Sequence, residues 1–136
     1  MSMRVTPALI AIIDDDASVC RALQRLVRSL GMGTSAFASG ELFLLSLASA
    51  ERPDCALLDV QMPGKNGLEV QRRLGLDGIA LPLVFITAHE EDGIAERAIA
   101  AGAVGFLQKP FTDQSLIELI RRALHLGEGR GNRTTG

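Results

Sequence analysis

Short apolar runs alternate with amphipathic stretches along this chain from Leu9 to Leu124. Leu9 to Ile13 is an unbroken apolar run, and its last four residues, Ile10 to Ile13, read as a buried strand that stops against Asp14, Asp15 and Asp16. From about Ala17 to Leu30, Val19, Leu23, Leu26, Val27 and Leu30 recur at helical spacing, and Gly31 and Gly33 are expected to end that helix. Thr34 to Phe37 makes a short second strand. Ser39 is placed to cap a second helix whose apolar positions are Leu42, Phe43 and Leu47. Pro53 precedes a third strand, Asp54 to Leu58, and Gly67 and Leu68 start a third helix that runs through about Leu74. Pro82 precedes a fourth strand, Leu83 to Ile86, followed by an alanine-rich helix over about Asp92 to Ala101. Val104 to Leu107 is the fifth strand. Thr112 caps the fifth helix, whose inner face holds Leu116, Ile117, Ile120 and Leu124.

Strands and helices in strict alternation predict an α/β protein built on a parallel sheet. The 136 residues fit one domain of ordinary size, and 47% hydrophobic residues against 22% charged ones suffice for a real core. A net charge of −2 gives no reason to expect direct contact with nucleic acid or an anionic membrane. The stretch 127–136 holds four glycines, three charged residues and no large apolar side chain, and is expected to be a flexible tail or a truncated linker. The two cysteines, Cys20 and Cys55, lie in apolar surroundings without metal-type spacing and read as small core residues. No signal-peptide pattern and no apolar run near the ~18 residues of a membrane span is visible, so a cytoplasmic protein is expected.

The candidate chemistry sits where the strands stop. Clustered carboxylates raise each other's pKa unless a cation lies among them. Asp14 and Asp15 therefore suggest a divalent metal of the hard, oxygen-preferring kind such as Mg²⁺. Asp16 is assigned mainly to capping the first helix. The third strand ends in Leu58-Asp59, the fourth in Ile86-Thr87, and the fifth is followed by Gln108-Lys109-Pro110. Open parallel sheets bind ligands at the carboxyl ends of their strands. Acids, a hydroxyl and an amine collected there suit phosphoryl transfer to a carboxylate, with Asp59 as nucleophile.

These residues resemble the receiver domain of two-component response regulators. The matching positions are Ile13-Asp14-Asp15, Asp59 followed by Met62-Pro63 and Gly67, Thr87-Ala88, and Lys109-Pro110-Phe111. The resemblance covers about Pro7 to Leu126, taken as a receiver domain over residues 7–126. Gly102 to Phe111 looks most like the FixJ-type group, whose receivers often precede a LuxR-type helix-turn-helix. The resemblance implies a flavodoxin-like (βα)5 doubly wound sheet of strand order 2-1-3-4-5, and a phosphoryl group accepted by Asp59 from a histidine kinase. It implies Mg²⁺ or Mn²⁺ bound by Asp15, Asp59 and the backbone carbonyl of Gln61, with Asp14 acting through a water. Lys109 would pair with Asp59 before transfer and hold the phosphoryl group afterwards, and the Lys109–Pro110 bond would be cis. Thr87 and Phe106 would form a switch pair, although Phe106 reads equally well as a plain core residue. The switching face would be the fourth helix, fifth strand and fifth helix, through which phosphorylated chains would dimerise. Ile94, Ala98, Ile99 and Ala101 would be divided between core and interface there.

Such a chain controls a downstream output, transcription in the first instance, and is no enzyme beyond its own phosphorylation and dephosphorylation. The alternative is a single-domain regulator or phosphate sink acting through protein partners. His89 reads first as an exposed loop residue, the alternative being a group that positions or shields a water near the phosphoryl site. His125 reads as a surface residue at a helix end. A haloacid dehalogenase-type phosphatase is disfavoured because Gln61 stands where that family wants an acid. A flavodoxin-like FMN carrier is disfavoured because Asp14 to Asp16 would repel its phosphate.

Overall fold

The computed structural model of the chain describes residues 7–48, 51–89 and 93–135, with 127–135 described by backbone alone. Its elements are β1 (Leu9–Ile13), α1 (Ala17–Ser29), β2 (Gly33–Phe37), α2 (Gly40–Ser46), β3 (Cys55–Asp59), α3 (Gly67–Leu76), β4 (Leu83–Thr87), α4 (Ile94–Ala100), β5 (Gly105–Gln108) and α5 (Asp113–Thr135). The strands form one parallel sheet in the order β2-β1-β3-β4-β5, as expected.

Side chains alternate across a pleated strand, so each strand feeds both faces. On one face Ile10, Ile12, Leu57, Val84 and Ile86 pack against Leu23 and Val27 of α1 and Leu116 and Ile120 of α5. On the other face Ala11, Ile13, Leu58 and Phe85 pack against Phe43 of α2, Val70 of α3 and Ala98 of α4. Covered on both faces, the central strands need apolar residues at every position, which is why they read as continuous runs rather than alternations. The chain turns outward in opposite directions from β1 and β3, and that reversal opens a crevice at their carboxyl ends.

Most expected elements are present, with differences at their ends and in their packing. Gly33 does not end α1; its N–H donates to the Ala8 carbonyl at 2.8 Å and it opens β2. Gly31 alone terminates the helix, at φ 83°, a conformation glycine adopts without a Cβ penalty. Leu42 is 52% exposed, because Phe43, one helical step of about 100° away, takes the buried position in a seven-residue helix. The expected start of the fourth helix at Asp92 lies outside the described residues, and the described helix begins at Ile94 after Gly93. Finally, the stretch expected to be a flexible tail continues α5 to Thr135. Leu116, Ile120, Ala123 and Leu124 bury the start of that helix, and each further turn adds backbone hydrogen bonds to an existing nucleus.

Candidate functional site

Three polar residues are buried among the described residues, and all three stand at the carboxyl ends of central strands: Asp14 (3% exposed), Asp59 (8%) and Thr87 (0%). Buried polar groups are expensive unless partnered. Their concentration at the topological crevice marks a site rather than a packing accident. Asp14 follows β1, Asp59 ends β3, Thr87 ends β4, and Lys109 follows β5. Backbone bonds hold these ends level: Val60 N–H donates to Ile86 O at 3.2 Å, and Lys109 N–H donates to Thr87 O at 2.8 Å.

Asp16 points away from the crevice and caps α1. One carboxylate oxygen accepts from the Ser18 N–H at 2.9 Å, the Ser18 hydroxyl at 2.7 Å and the Val19 N–H at 3.4 Å. The Ser18 bonds chiefly, helped by Val19, lower its pKa. The other three acids converge: one carboxylate oxygen each from Asp14, Asp15 and Asp59 lie within 4.8 Å of one another. Asp14 accepts from the Asp16 N–H at 2.9 Å and Asp59 from the Gln61 N–H at 3.2 Å. Burial first, then the neighbouring Asp14 charge, push the Asp59 carboxyl up to about 6. The Gln61 N–H and the more distant Lys109 ammonium only partly oppose that. The donor set fits a hard divalent cation: all ligands are oxygens, and a dication among them removes the repulsion that raises Asp59.

Lys109 departs from expectation. Its ammonium pairs with Asp14 at 3.5 Å, not with Asp59. Asp14 and Asp59 are both buried, at 3% and 8% exposure. The Lys109–Pro110 bond is cis, as expected.

Thr87 and Gln61 are joined across two loops. The Thr87 hydroxyl shares its proton between the His89 carbonyl at 2.8 Å and the Gln61 side-chain oxygen at 3.1 Å, and accepts from the His89 N–H at 3.3 Å. The Gln61 amide donates to the same His89 carbonyl at 3.2 Å. His89 and His125 are exposed. Phe106 is half-buried, its ring centroid 6.3 Å from that of Phe85 on the adjacent strand. It packs on the face that α3 and α4 cover. Of the α4 residues, Ile94 and Ala98 are core while Ile99 is 46% exposed.

Two supports were not read from the sequence. Asn66 caps α3 in a reciprocal arrangement with Glu69, each side chain accepting the other's backbone N–H at 2.9 and 3.0 Å. The Asn-x-x-Glu spacing was a legible signal for it. Glu41 of α2 accepts from the Lys65 N–H at 3.3 Å and so ties down the loop after Asp59. Nothing local in the sequence announces that contact.

The geometry sets an acid cluster, a buried hydroxyl and an ammonium at the carboxyl edge of a (βα)5 sheet, and the chain belongs to the response regulator receiver domain family, whose model matches residues 10–121. Among curated relatives it is similar to the response regulator protein TodT of Pseudomonas putida, 43% identical over 119 residues, covering 88% of this chain and 52% of TodT. It is also similar to the transcriptional regulatory protein FixJ of Bradyrhizobium diazoefficiens, 35% identical over 123 residues, covering 90% of this chain and 60% of FixJ. The crystal structure of a response regulator receiver protein from Burkholderia phymatum superposes with a TM-score of 0.77 at 49% identity, covering 87% of this chain and 95% of that one. The chain spans about half the length of curated relatives such as TodT. It is thus a receiver domain related to those of transcriptional regulators, a signalling module rather than a member of a conventional enzyme family. Receiver domains take phosphoryl groups from histidine kinases and bind Mg²⁺ at an acidic pocket; the phosphatase and FMN-carrier readings fall with this membership. No helix among the described residues is long and apolar enough to cross a membrane.

Proposed function

We propose that Asp59 is the phosphoacceptor of a receiver spanning residues 7–126. The observation that carries this reading is the convergence of three carboxylates, a buried hydroxyl and an ammonium at the ends of four strands. An Asp59 carboxylate oxygen attacks the phosphorus of a kinase phosphohistidine. The new P–O bond forms as the P–N bond breaks, and the electron pair leaves on the imidazole nitrogen. Mg²⁺ or Mn²⁺, held by Asp14 (through water), Asp15, Asp59 and the Gln61 backbone carbonyl, would neutralise charge on the phosphoryl oxygens. Lys109 leaves Asp14 for the phosphoryl group, and Thr87 donates its hydroxyl to a phosphoryl oxygen. The chain thereby catalyses only its own phosphorylation and the later hydrolysis. The test is a gain of one phosphoryl group, about 80 Da, in intact mass after incubation with acetyl phosphate and Mg²⁺; an unchanged mass with every donor, including a cognate kinase, would refute it.

The output follows by population shift. Moving a 1:99 mixture to 99:1 takes about 5.5 kcal/mol of differential interaction, and charge-assisted bonds from Thr87 and Lys109, at roughly 1.5–3 kcal/mol each, supply a large part. Phe106, half-buried beside Phe85, would follow Thr87 as its switch partner. The readout surface is α4, β5 and α5, and Ile99 is its exposed apolar residue on α4. Beryllium fluoride, a non-hydrolysing phosphoryl mimic, is expected to convert the chain from monomer to dimer in sedimentation, and Ile99→Glu to block that conversion. A chain that sediments identically with and without the mimic would sink the dimer reading. In a longer protein this dimer would control transcription, as the similarity to FixJ and TodT suggests.

A further inference from the structure

Gln61 has a side chain whose partners are Thr87 and His89 rather than the acids. Together with the Thr87 hydroxyl and the His89 backbone it closes a ring of hydrogen bonds between the loop after β3 and the loop after β4. Thr87 is wholly buried, so its hydroxyl cannot exchange a lost partner for bulk water. It has two choices: the ring, or an anion on Asp59. Every bond in the ring favours the first choice, and the ring has two fastenings. The Gln61 oxygen accepts the hydroxyl directly at 3.1 Å. Its nitrogen holds the His89 carbonyl, the hydroxyl's other acceptor, at 3.2 Å.

We infer that the Gln61 side chain is a latch that holds the Thr87 hydroxyl in its resting orientation and so sets the balance between resting and switched states. The inference rests on the reading of Asp59 as phosphoacceptor and of Thr87 as hydrogen-bond donor to the phosphoryl group. Gln61 acts through Thr87 and is a positioning residue, distinct in this role from the backbone carbonyl it offers to a metal. Its substitution leaves that carbonyl in place. A ligand that needs a minor conformer binds more weakly by the fraction of that conformer. Releasing the latch therefore tightens binding of a phosphoryl mimic. Loss of one net hydrogen bond predicts about fivefold tighter binding, the equivalent of ~1 kcal/mol.

The experiment is a calorimetric titration with beryllium fluoride at fixed Mg²⁺ on the wild type, Gln61→Met, Thr87→Val and the double variant, with Asp59→Asn as the control for site. Methionine keeps the length of glutamine and removes both hydrogen-bonding atoms. Expected are about fivefold tighter binding for Gln61→Met on the wild-type background and no change on the Thr87→Val background. The Thr87 methyl resonance of unliganded Gln61→Met should also move toward its mimic-bound position. Equal or weaker binding by Gln61→Met overturns the latch. So does equal tightening on both backgrounds, which would mean that Gln61 acts on the anion directly. Gln61→Ala repeats the comparison with a different side chain, and the two variants must agree. Failure of the phosphoacceptor reading looks different: the wild type would bind no mimic, or Asp59→Asn would bind it equally well, and the latch would fall with it.

Discussion

Asp59→Asn is expected to take up no phosphate from any donor while folding normally and gaining stability. The loss of chemistry follows from removing the nucleophilic oxygen; an amide does not attack phosphorus under these conditions. The gain in stability follows from the electrostatics of the acid cluster. Folding raises the Asp59 pKa from 3.8 to about 6, because burial and Asp14 disfavour its charged form. Below about pH 4 the group is protonated in folded and unfolded chains alike and carries no penalty. As pH rises from about 4 to about 6, the unfolded chain releases its proton first, and the folded state loses stability. Above about 6 the loss is complete. Two pKa units bound the effect at roughly 3 kcal/mol. The stability gap between Asp59→Asn and wild type, measured by urea unfolding in chelator, should therefore open across that window and stay open at neutral pH. Mg²⁺ should narrow it, by stabilising only the chain with all three acids. Uptake of phosphate by the variant, or a gap that closes as pH rises, would contradict this account of the cluster.

Gly67→Ala is expected to damage fold and site together. A Cβ at this position would lie 2.6 Å from the Asp59 carbonyl oxygen, 3.0 Å from the Phe85 ring and 3.0 Å from the Val60 Cα. Two of those neighbours are backbone, and the third is a fully buried ring with nowhere to turn. The Gly67 N–H also donates to Val60 O at 2.9 Å, a bond that the methyl group would force apart. Overpacking a rigid site of this kind costs about 3 kcal/mol, and the yielding part is the segment from Asp59 to Gly67, which carries the nucleophile and the Gln61 carbonyl. Phosphoryl uptake at equal donor should fall by an order of magnitude or more, since angstrom-scale misplacement of reacting groups costs ~100-fold. A variant with wild-type unfolding midpoint and uptake would show that the loop gives way freely.

Much of this was legible in the order of residues. The apolar runs located β1, β3, β4 and β5 but not the polar β2, and the acids, hydroxyl and amine at the strand ends marked the candidate site. The strand ends were read short at Asp59, Thr87 and Gln108. The polar side chain ends the hydrophobic pattern there, but backbone pairing runs on, Asp59 beside Ile86 and Thr87 beside Gln108. The choice of Lys109 between Asp14 and Asp59 was beyond sequence, because it turns on the side-chain placement of two carboxylates 45 residues apart. The Gln61–Thr87 bond was equally hidden, spanning 26 residues and depending on side-chain orientation alone. Composition reads the stretch beyond Leu126 as a tail or linker, and the described backbone carries α5 through it to Thr135.

Cys20 and Cys55 are both free thiols buried in the core, 7% and 0% exposed. Burial raises both thiols, Cys55 to about 12, and Asp14 pushes Cys20 further in the same direction. The reactive species of a cysteine is its thiolate, so both are nearly silent toward alkylating reagents in the folded chain. A cysteine placed at exposed Ile99 would stand alone in reactivity. Spin labels or fluorophores could then be attached to the proposed switching face with both natural cysteines kept, and the distance between two copies would test the proposed dimer as phosphate is added.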